Sequence, residues 1–272
     1  MRLTAPGTGW RARLAGVASR LLSAAVFGTL LLVAIIATRL VWSPDWALAR
    51  YDFLLLYALS LQLLFLVTGI ETRQEALAIL AFHVTGTVME LFKTHMGSWS
   101  YPEPALFRIA GVPLFAGFMY ASVGSFILRA ANGFDIRFEN FPPLWAARGL
   151  ALLVYLNFFG HHFGPDLRLA LMAGTLLLFL PCIVRFPGGL GLPFPLVALG
   201  TCAALWIAET VGTLTGTWTY GGGGGMARPS LLGSWYLLLF VSFMLVSPAL
   251  NIARAPWKLA PGPRVIERNQ RP

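Results

Sequence analysis

Eight apolar runs of 18 to 23 residues each occupy most of the chain, at approximately 21–41, 52–70, 74–93, 107–129, 144–163, 167–184, 195–215 and 231–252. About 20 such residues wound as a helix cross the roughly 30 Å hydrocarbon layer of a bilayer. In that layer every backbone N–H and C=O must be paired within the protein, which leaves helices or a closed barrel. The runs are too long for barrel strands and lack their alternation, so strands are not expected. The fold class read from the sequence is therefore all-α and polytopic, with about eight transmembrane helices. Composition agrees: 57% of the 272 residues are hydrophobic and 11% charged, against about 25% charged in a typical soluble domain.

The net charge of +9 would suggest nucleic acid in a soluble protein, but here the basic residues lie between and beyond the apolar runs. With the N-terminus inside, the inner segments hold 14 Lys and Arg and the outer ones 6. The positive-inside rule then places both termini in the cytoplasm, and the basic residues meet anionic lipid headgroups. Residues 1–20 form a basic cytoplasmic tail, 131–143 a cytoplasmic connection with Pro142-Pro143, and 253–272 a second tail. The tail plus first run has the outline of a signal peptide, but the run is long and lacks a small-x-small cleavage site, so a retained first span is expected. Gly221 to Gly225 forms an outer loop. Cys182 and Cys202 lie inside apolar runs, give no disulfide framework or zinc-ligand spacing, and read as small core residues.

The chain repeats itself. Glu90-Leu-Phe-Lys-Thr94-His-Met-Gly97-Ser-Trp99-Ser-Tyr101 and Glu209-Thr-Val-Gly-Thr213-Leu-Thr-Gly216-Thr-Trp218-Thr-Tyr220 share the pattern E-x-x-x-T-x-x-G-[ST]-W-[ST]-Y at a constant offset of 119. For one pair of glutamates, chance agreement at G, W and Y is about one in ten thousand, or about 0.002 over the 21 pairs that seven glutamates make. The offset divides the membrane part into two four-helix repeats, 21–130 and 144–252. Four is even, so the copies are parallel, related by an axis along the membrane normal.

The repeated motif holds the candidate chemistry. An ionised carboxylate in hydrocarbon costs several kcal/mol unless it is paired, hydrated or protonated. Glu90 and Glu209 should therefore face the bundle interior as an acid/base pair bracketing an outward-opening pocket, or else hold helices together through Thr or through a Trp of the other repeat. Thr94 and Thr213 share their helix face at i+4. Lys93, at i+3, is placed to neutralise Glu90, and the second copy has Gly212 there, so the two carboxyls are expected to differ in charge. Trp99, Tyr101, Trp218 and Tyr220 form either an outer aromatic belt or a wall over the pocket. His83 lies seven residues before Glu90 on the same face. Asn157, His161 and His162 end the fifth run, and His162 is spaced to meet Asp166. No metal site is expected from these ligands, since no His-x-x-x-His or Asp-rich pattern accompanies them. Gly117, Ala121 and Ser125 make a small-residue face for close helix packing.

No nucleotide-binding, CxxC or G-x-S-x-G pattern is present, so no cofactor and no nucleic-acid partner is expected. The stretch FHVTGTVMELFKTHMGSWSYPEP followed by GVPLFAGFMYASVGS resembles the YoaT-like proteins, bacterial integral-membrane proteins of unknown function, and the likeness runs from about Asp52 to Asn251. It implies a membrane location and brings no activity with it. A more distant resemblance is to membrane carotenoid enzymes of the lycopene cyclase and hydratase type. Those carry paired glutamates after the proline that starts a helix, where this chain has Leu114, Phe115 and Ala116 after Pro113. Three classes stay open: an enzyme or binding protein for a lipid, isoprenoid or other apolar small molecule; a small-solute carrier; and a structural or assembly protein. Acids clustered toward one face favour a one-sided pocket over a through-path.

Overall fold

The computed structural model describes residues 10–133, 136–186, 189–221, 225–229 and 231–247. The C-terminal tail 253–272, the start of the N-terminal tail, part of the 131–143 connection and Gly222 to Gly224 lie outside the described residues. Helices are α1 (Trp10–Ala24), α2 (Val26–Val41), α3 (Arg50–Val67), α4 (Arg73–His95), α5 (Ala116–Gly133), α6 (Leu144–Gly160), α7 (Arg168–Phe179), α8 (Phe194–Leu214) and α9 (Leu231–Val246).

Each expected apolar run contains a helix, with three differences. A helix already begins at Trp10, within the segment expected as a tail, and it meets α2 at a bend of 67°. Helix α5 starts nine residues later than its apolar run, because a hairpin of Arg108–Ile109 (β2) and Val112–Pro113 (β3) precedes it, with Ala110 and Gly111 both at positive φ in the turn. Helix α7 ends at Phe179, as the chain enters a strand at Ile183.

Strands are therefore present, contrary to expectation. Each is two or three residues long, too short to leave an alternating pattern in the sequence. Trp99–Ser100 (β1) pairs antiparallel with Thr219–Tyr220 (β7). Arg137–Glu139 (β4), Ile183–Arg185 (β5) and Gly191–Pro193 (β6) make a three-stranded antiparallel sheet. Helix α8 leads directly from β6 and ends just before β7. Its 21 residues separate the two sheets by about 30 Å.

By length and apolar composition, α3, α4 from Glu75 and α8 each suffice to cross a membrane, and the bent α1–α2 pair makes a fourth when taken as one span. Helices α6, α7 and α9 are apolar but have 17, 12 and 16 residues. Large apolar side chains lie open on the outer faces of α3, α4, α6, α7 and α8, among them Leu63, Leu80, Leu153, Leu177 and Leu199. So much exposed aliphatic surface is foreign to a water-facing monomer and suits lipid.

Two apolar cores hold the helices. One gathers Phe27, Ile35, Tyr51, Leu54 and Ala121 from α2, α3 and α5, with Phe115 just before α5. The other gathers Ala147, Phe179, Cys202, Phe240 and Phe243 from α6 to α9 with Val184 of β5, and both cysteines are buried in it. Helices α4 and α5 approach closely through the small-residue face. A Cβ on Gly117 would stand 2.5 Å from His83 and Thr87, and one on Gly124 would stand 2.6 Å from the Phe82 ring.

The glycine of the repeated motif ends a helix in both copies. Gly97 and Gly216 have φ of 68° and 65°. Gly97 N–H donates to Thr94 O and Ser98 N–H to Lys93 O; Gly216 and Thr217 do the same toward Thr213 and Gly212. This is the Schellman closure, which needs a left-handed residue after the C-cap. Gly216→Ala should cost about 1 kcal/mol, and Gly97→Ala a similar amount, because alanine is strained at that φ. Thermal unfolding in mild detergent would show two equal losses.

Candidate functional site

The Schellman turn reverses the chain, so that the W-[ST]-Y segment folds back onto the helix it has just left. Trp99 Nε1 and Tyr101 OH then donate to Glu90 Oε2 at 2.6 and 2.8 Å. In the second copy Trp218 Nε1 and Tyr220 OH both donate to Glu209 Oε1 at 2.7 Å. The motif is thus a unit in which a helix offers a carboxylate, a glycine turns the chain, and an indole and a phenol return to bind that carboxylate. Burial and the neighbouring glutamates push the Tyr101 and Tyr220 phenols above their ordinary range, so both stay donors.

The units also meet each other. Ser100 lies opposite Thr219 in the β1–β7 pair, with their hydroxyls 3.1 Å apart. These residues are separated by the repeat offset of 119, so matching positions face one another as a local two-fold axis requires.

The two carboxylates are not equivalent. Glu90 takes a third donor, Tyr120 OH, on Oε1 at 2.8 Å. The position matching Tyr120 in the second copy is Leu239. Glu209 Oε2 accepts no hydrogen bond among the described residues, and Glu209 lines a cavity of about 780 Å³. This asymmetry is one of hydrogen-bond donors and does not come from Lys93. Lys93 forms no ion pair with Glu90, whose oxygens are already taken. It extends instead to the end of α6, where Nζ stands 3.2 Å from His161 Nε2 and 2.8 Å from His162 Nε2. At the matching position, Gly212 leaves room for the Trp218 ring, which lies against the α8 backbone.

Other candidates fall elsewhere. His83 packs between α4 and α5 with its ring 4.5 Å from that of Phe118, and it does not line the cavity that Glu209 borders. Thr213 Oγ1 bonds backbone carbonyls of its own helix rather than the glutamate side chain. Thr94 Oγ1 is buried without a hydrogen-bond partner among the described residues. Asn157 Oδ1 accepts from Leu167 N–H and fastens the α6–α7 turn, while His161 Nδ1 donates to Asn157 O at 2.8 Å. Asp166 turns away from His162 to bind Arg168, whose hydrogen bond holds the carboxyl at about 2, well below the usual carboxylate range.

A cavity of about 780 Å³ lies between the two cores. Its walls are apolar side chains of α1, α2, α5, α8 and α9, such as Leu32, Val123, Phe126, Leu205 and Phe240. It extends from Phe138, Val184 and Leu192 of the three-stranded sheet to Glu90, Glu209 and their Trp and Tyr partners. A long apolar space thus carries its acids at one end.

Several buried polar residues had not been singled out from the sequence. Arg50 pairs with Glu103 and donates to Thr38 Oγ1, Ile35 O and Thr217 Oγ1, tying the first half to the second motif. Asp52 accepts from Leu106 and Phe107 N–H. Glu71 accepts from Gln62 and Ser125 near the start of α4. The partners are 9 to 167 residues apart, and no local spacing announces them. Tyr120 has no counterpart at the repeat offset, so the repeat could not reveal it.

No solved structure matches the chain. A curated relative, an uncharacterised protein named YoaT from Bacillus subtilis (strain 168), is 37% identical over 249 residues, covering 88% of this chain and 89% of the relative. The comparisons add nothing to the distant likeness to carotenoid enzymes. A family model described as a protein of unknown function (DUF817) matches residues 14–243. The chain therefore belongs to the DUF817 family of proteins of unknown function.

Proposed function

We propose that this chain is an integral protein of the bacterial cytoplasmic membrane, built from two parallel four-helix halves, that takes a long apolar molecule of lipid or isoprenoid type into the cavity between them. The observation that carries the reading is the form of that cavity: about 780 Å³ of aliphatic and aromatic wall with two glutamates at one end. The volume is that of a site for a sizeable small molecule. The positive-inside balance puts the glutamate end outward and both termini in the cytoplasm. Glu90, with three donors, is the anchor that fixes the aromatic wall. Glu209, with an open oxygen, is the group that exchanges a proton with the guest or accepts a hydrogen bond from its polar end. The indole and phenol faces nearby favour a guest that develops positive charge.

Mass spectrometry of apolar extracts tests this. The purified protein should retain one apolar class above its abundance in the surrounding membrane. Ala204→Trp, which fills the cavity, should lose it. A metabolite that accumulates on deletion should be cleared by wild type and not by Glu209→Gln. Extracts that match the bulk membrane, together with no difference between deletion and restored strains, would sink the reading.

A further inference from the structure

A second cavity, of about 250 Å³, lies beyond the wall formed by Trp99, Tyr120, Tyr220 and Trp235, which line both spaces. Lys93, Ser98, Asn157, His161, Arg168 and Ser234 contribute to its polar lining, and no carboxylate lines it. Lys93 is only 6% exposed. An ammonium taken from water needs a counter-charge, yet its contacts here are neutral. His161 Nδ1 faces the Asn157 carbonyl, which can only accept, so Nδ1 carries the proton and Nε2 presents a lone pair to Lys93. Lys93 Nζ can only donate, so His162 Nε2 accepts as well. Lys93 Nζ also lies 4.4 Å from the centre of the Phe158 ring. Asp166, the nearby acid, is held by Arg168. Arg168 also donates to Ser234 Oγ at 3.2 Å, which leaves that hydroxyl proton free to point elsewhere. Among the described residues only the side-chain oxygen of Asn157 is engaged, which leaves its amide donors.

We propose that this smaller cavity is an oxyanion site that seats one phosphate group, of a lipid headgroup or of free phosphate, against Lys93 and Arg168 with Asn157 and Ser234 as neutral donors. Its size is below the roughly 300–1,000 Å³ of pockets that enclose whole drug-sized molecules, which suits a head group rather than a chain. Charge-assisted hydrogen bonds to phosphate oxygens supply the missing counter-charge. The inference goes beyond the apolar cavity and does not rest on it, because the two spaces have different polar linings and are tested with different probes.

The test uses the full chain in a phosphate-free detergent. One arm titrates dioleoyl phosphatidylglycerol by native mass spectrometry, with dioleoylglycerol as the phosphate-free control. The other follows thermal unfolding in inorganic phosphate against chloride at equal ionic strength. Wild type should retain phosphatidylglycerol in preference to dioleoylglycerol, and Lys93→Met should weaken that retention about tenfold or more. Arg168→Gln should weaken it less, because its guanidinium is partly open to solvent. A rise in unfolding midpoint with inorganic phosphate, lost in Lys93→Met, would assign the site to free phosphate; lipid retention without that rise would assign it to a headgroup. Lys93→Met binding both probes as wild type does would overturn the proposal. Should that variant fail to fold, unchanged affinity of Arg168→Gln for both probes would overturn it equally.

Discussion

Gly212→Ala is expected to destabilise the protein by about 3–5 kcal/mol, among the largest effects that adding one methyl group can have. A Cβ at this position would stand 1.8 Å from Trp218 Cη2 and 1.9 Å from Cζ2. The indole cannot retreat freely, because it is buried and its Nε1 is held by Glu209 Oε1 at 2.7 Å. Either the ring moves and the charge-assisted hydrogen bond is lost, or α8 shifts against α9. Overpacking contributes about 1–3 kcal/mol and the broken bond about 1.5–3. Gly200→Ala is the matched control on the same helix, since nothing lies within 4 Å of its would-be Cβ. It should be neutral or stabilising by up to about 1 kcal/mol through helix propensity. Reversible unfolding in mixed micelles, read by tryptophan fluorescence, distinguishes the two. If Gly212→Ala is as stable as Gly200→Ala, the indole does not lie on the helix as described. Adding Trp218→Leu to Gly212→Ala should recover part of the loss, as contacting residues couple in a double-mutant cycle.

The same residue shows what could be read from the sequence and what could not. The 119-residue offset identified Gly212 as the counterpart of Lys93 and paired each glutamate with a tryptophan and a tyrosine at fixed distances. The motif's internal contacts were not legible: the glutamates were expected to bind Thr or a Trp of the other repeat, whereas each binds the Trp and Tyr of its own copy, because the glycine turn folds the segment back onto its helix. The destination of Lys93 was not legible. An i+3 neighbour is a plausible partner on an isolated helix, but Glu90 already takes Trp99, Tyr101 and Tyr120. A lysine side chain is long enough to leave its own helix, and its contacts are 68 and 69 residues away. Arg50 and Thr217 meet across 167 residues for the same reason. The length of the apolar runs located helices, because about 20 such residues in helical form cross a bilayer. It missed the start of α5 because the apolar residues 107–115 fold as a hairpin, where hydrophobicity alone does not separate a strand from a helix.

The second large effect separates the two glutamates. Glu90→Leu should cost about 3–6 kcal/mol, because it leaves one indole N–H and two phenol groups without their common acceptor in a buried place, at about 1–3 kcal/mol for each unsatisfied group. Glu90→Gln should be milder. Its carbonyl can take the position of Oε2 and keep Trp99 and Tyr101, and the Tyr120 hydroxyl can rotate to accept from the amide. Glu209→Gln should change stability by less than about 1 kcal/mol, because both of its donors use Oε1 and the amide nitrogen would then face the cavity. The carbonyl replaces the bound oxygen, and only the proton-exchanging capacity of the other one is removed. A protein in which the glutamates serve packing alone would show Glu209→Gln as stable as wild type and unaltered in its apolar guest. One in which Glu209 acts on that guest would show the same stability with the guest retained but unconverted, or no longer held. Unfolding midpoints and extract composition measured on the same preparations distinguish these outcomes, since the first reports the fold and the second the chemistry at the open oxygen. Glu90→Leu calibrates the comparison: a loss of guest without a loss of stability in that variant would mean that Glu90, and not Glu209, faces the guest.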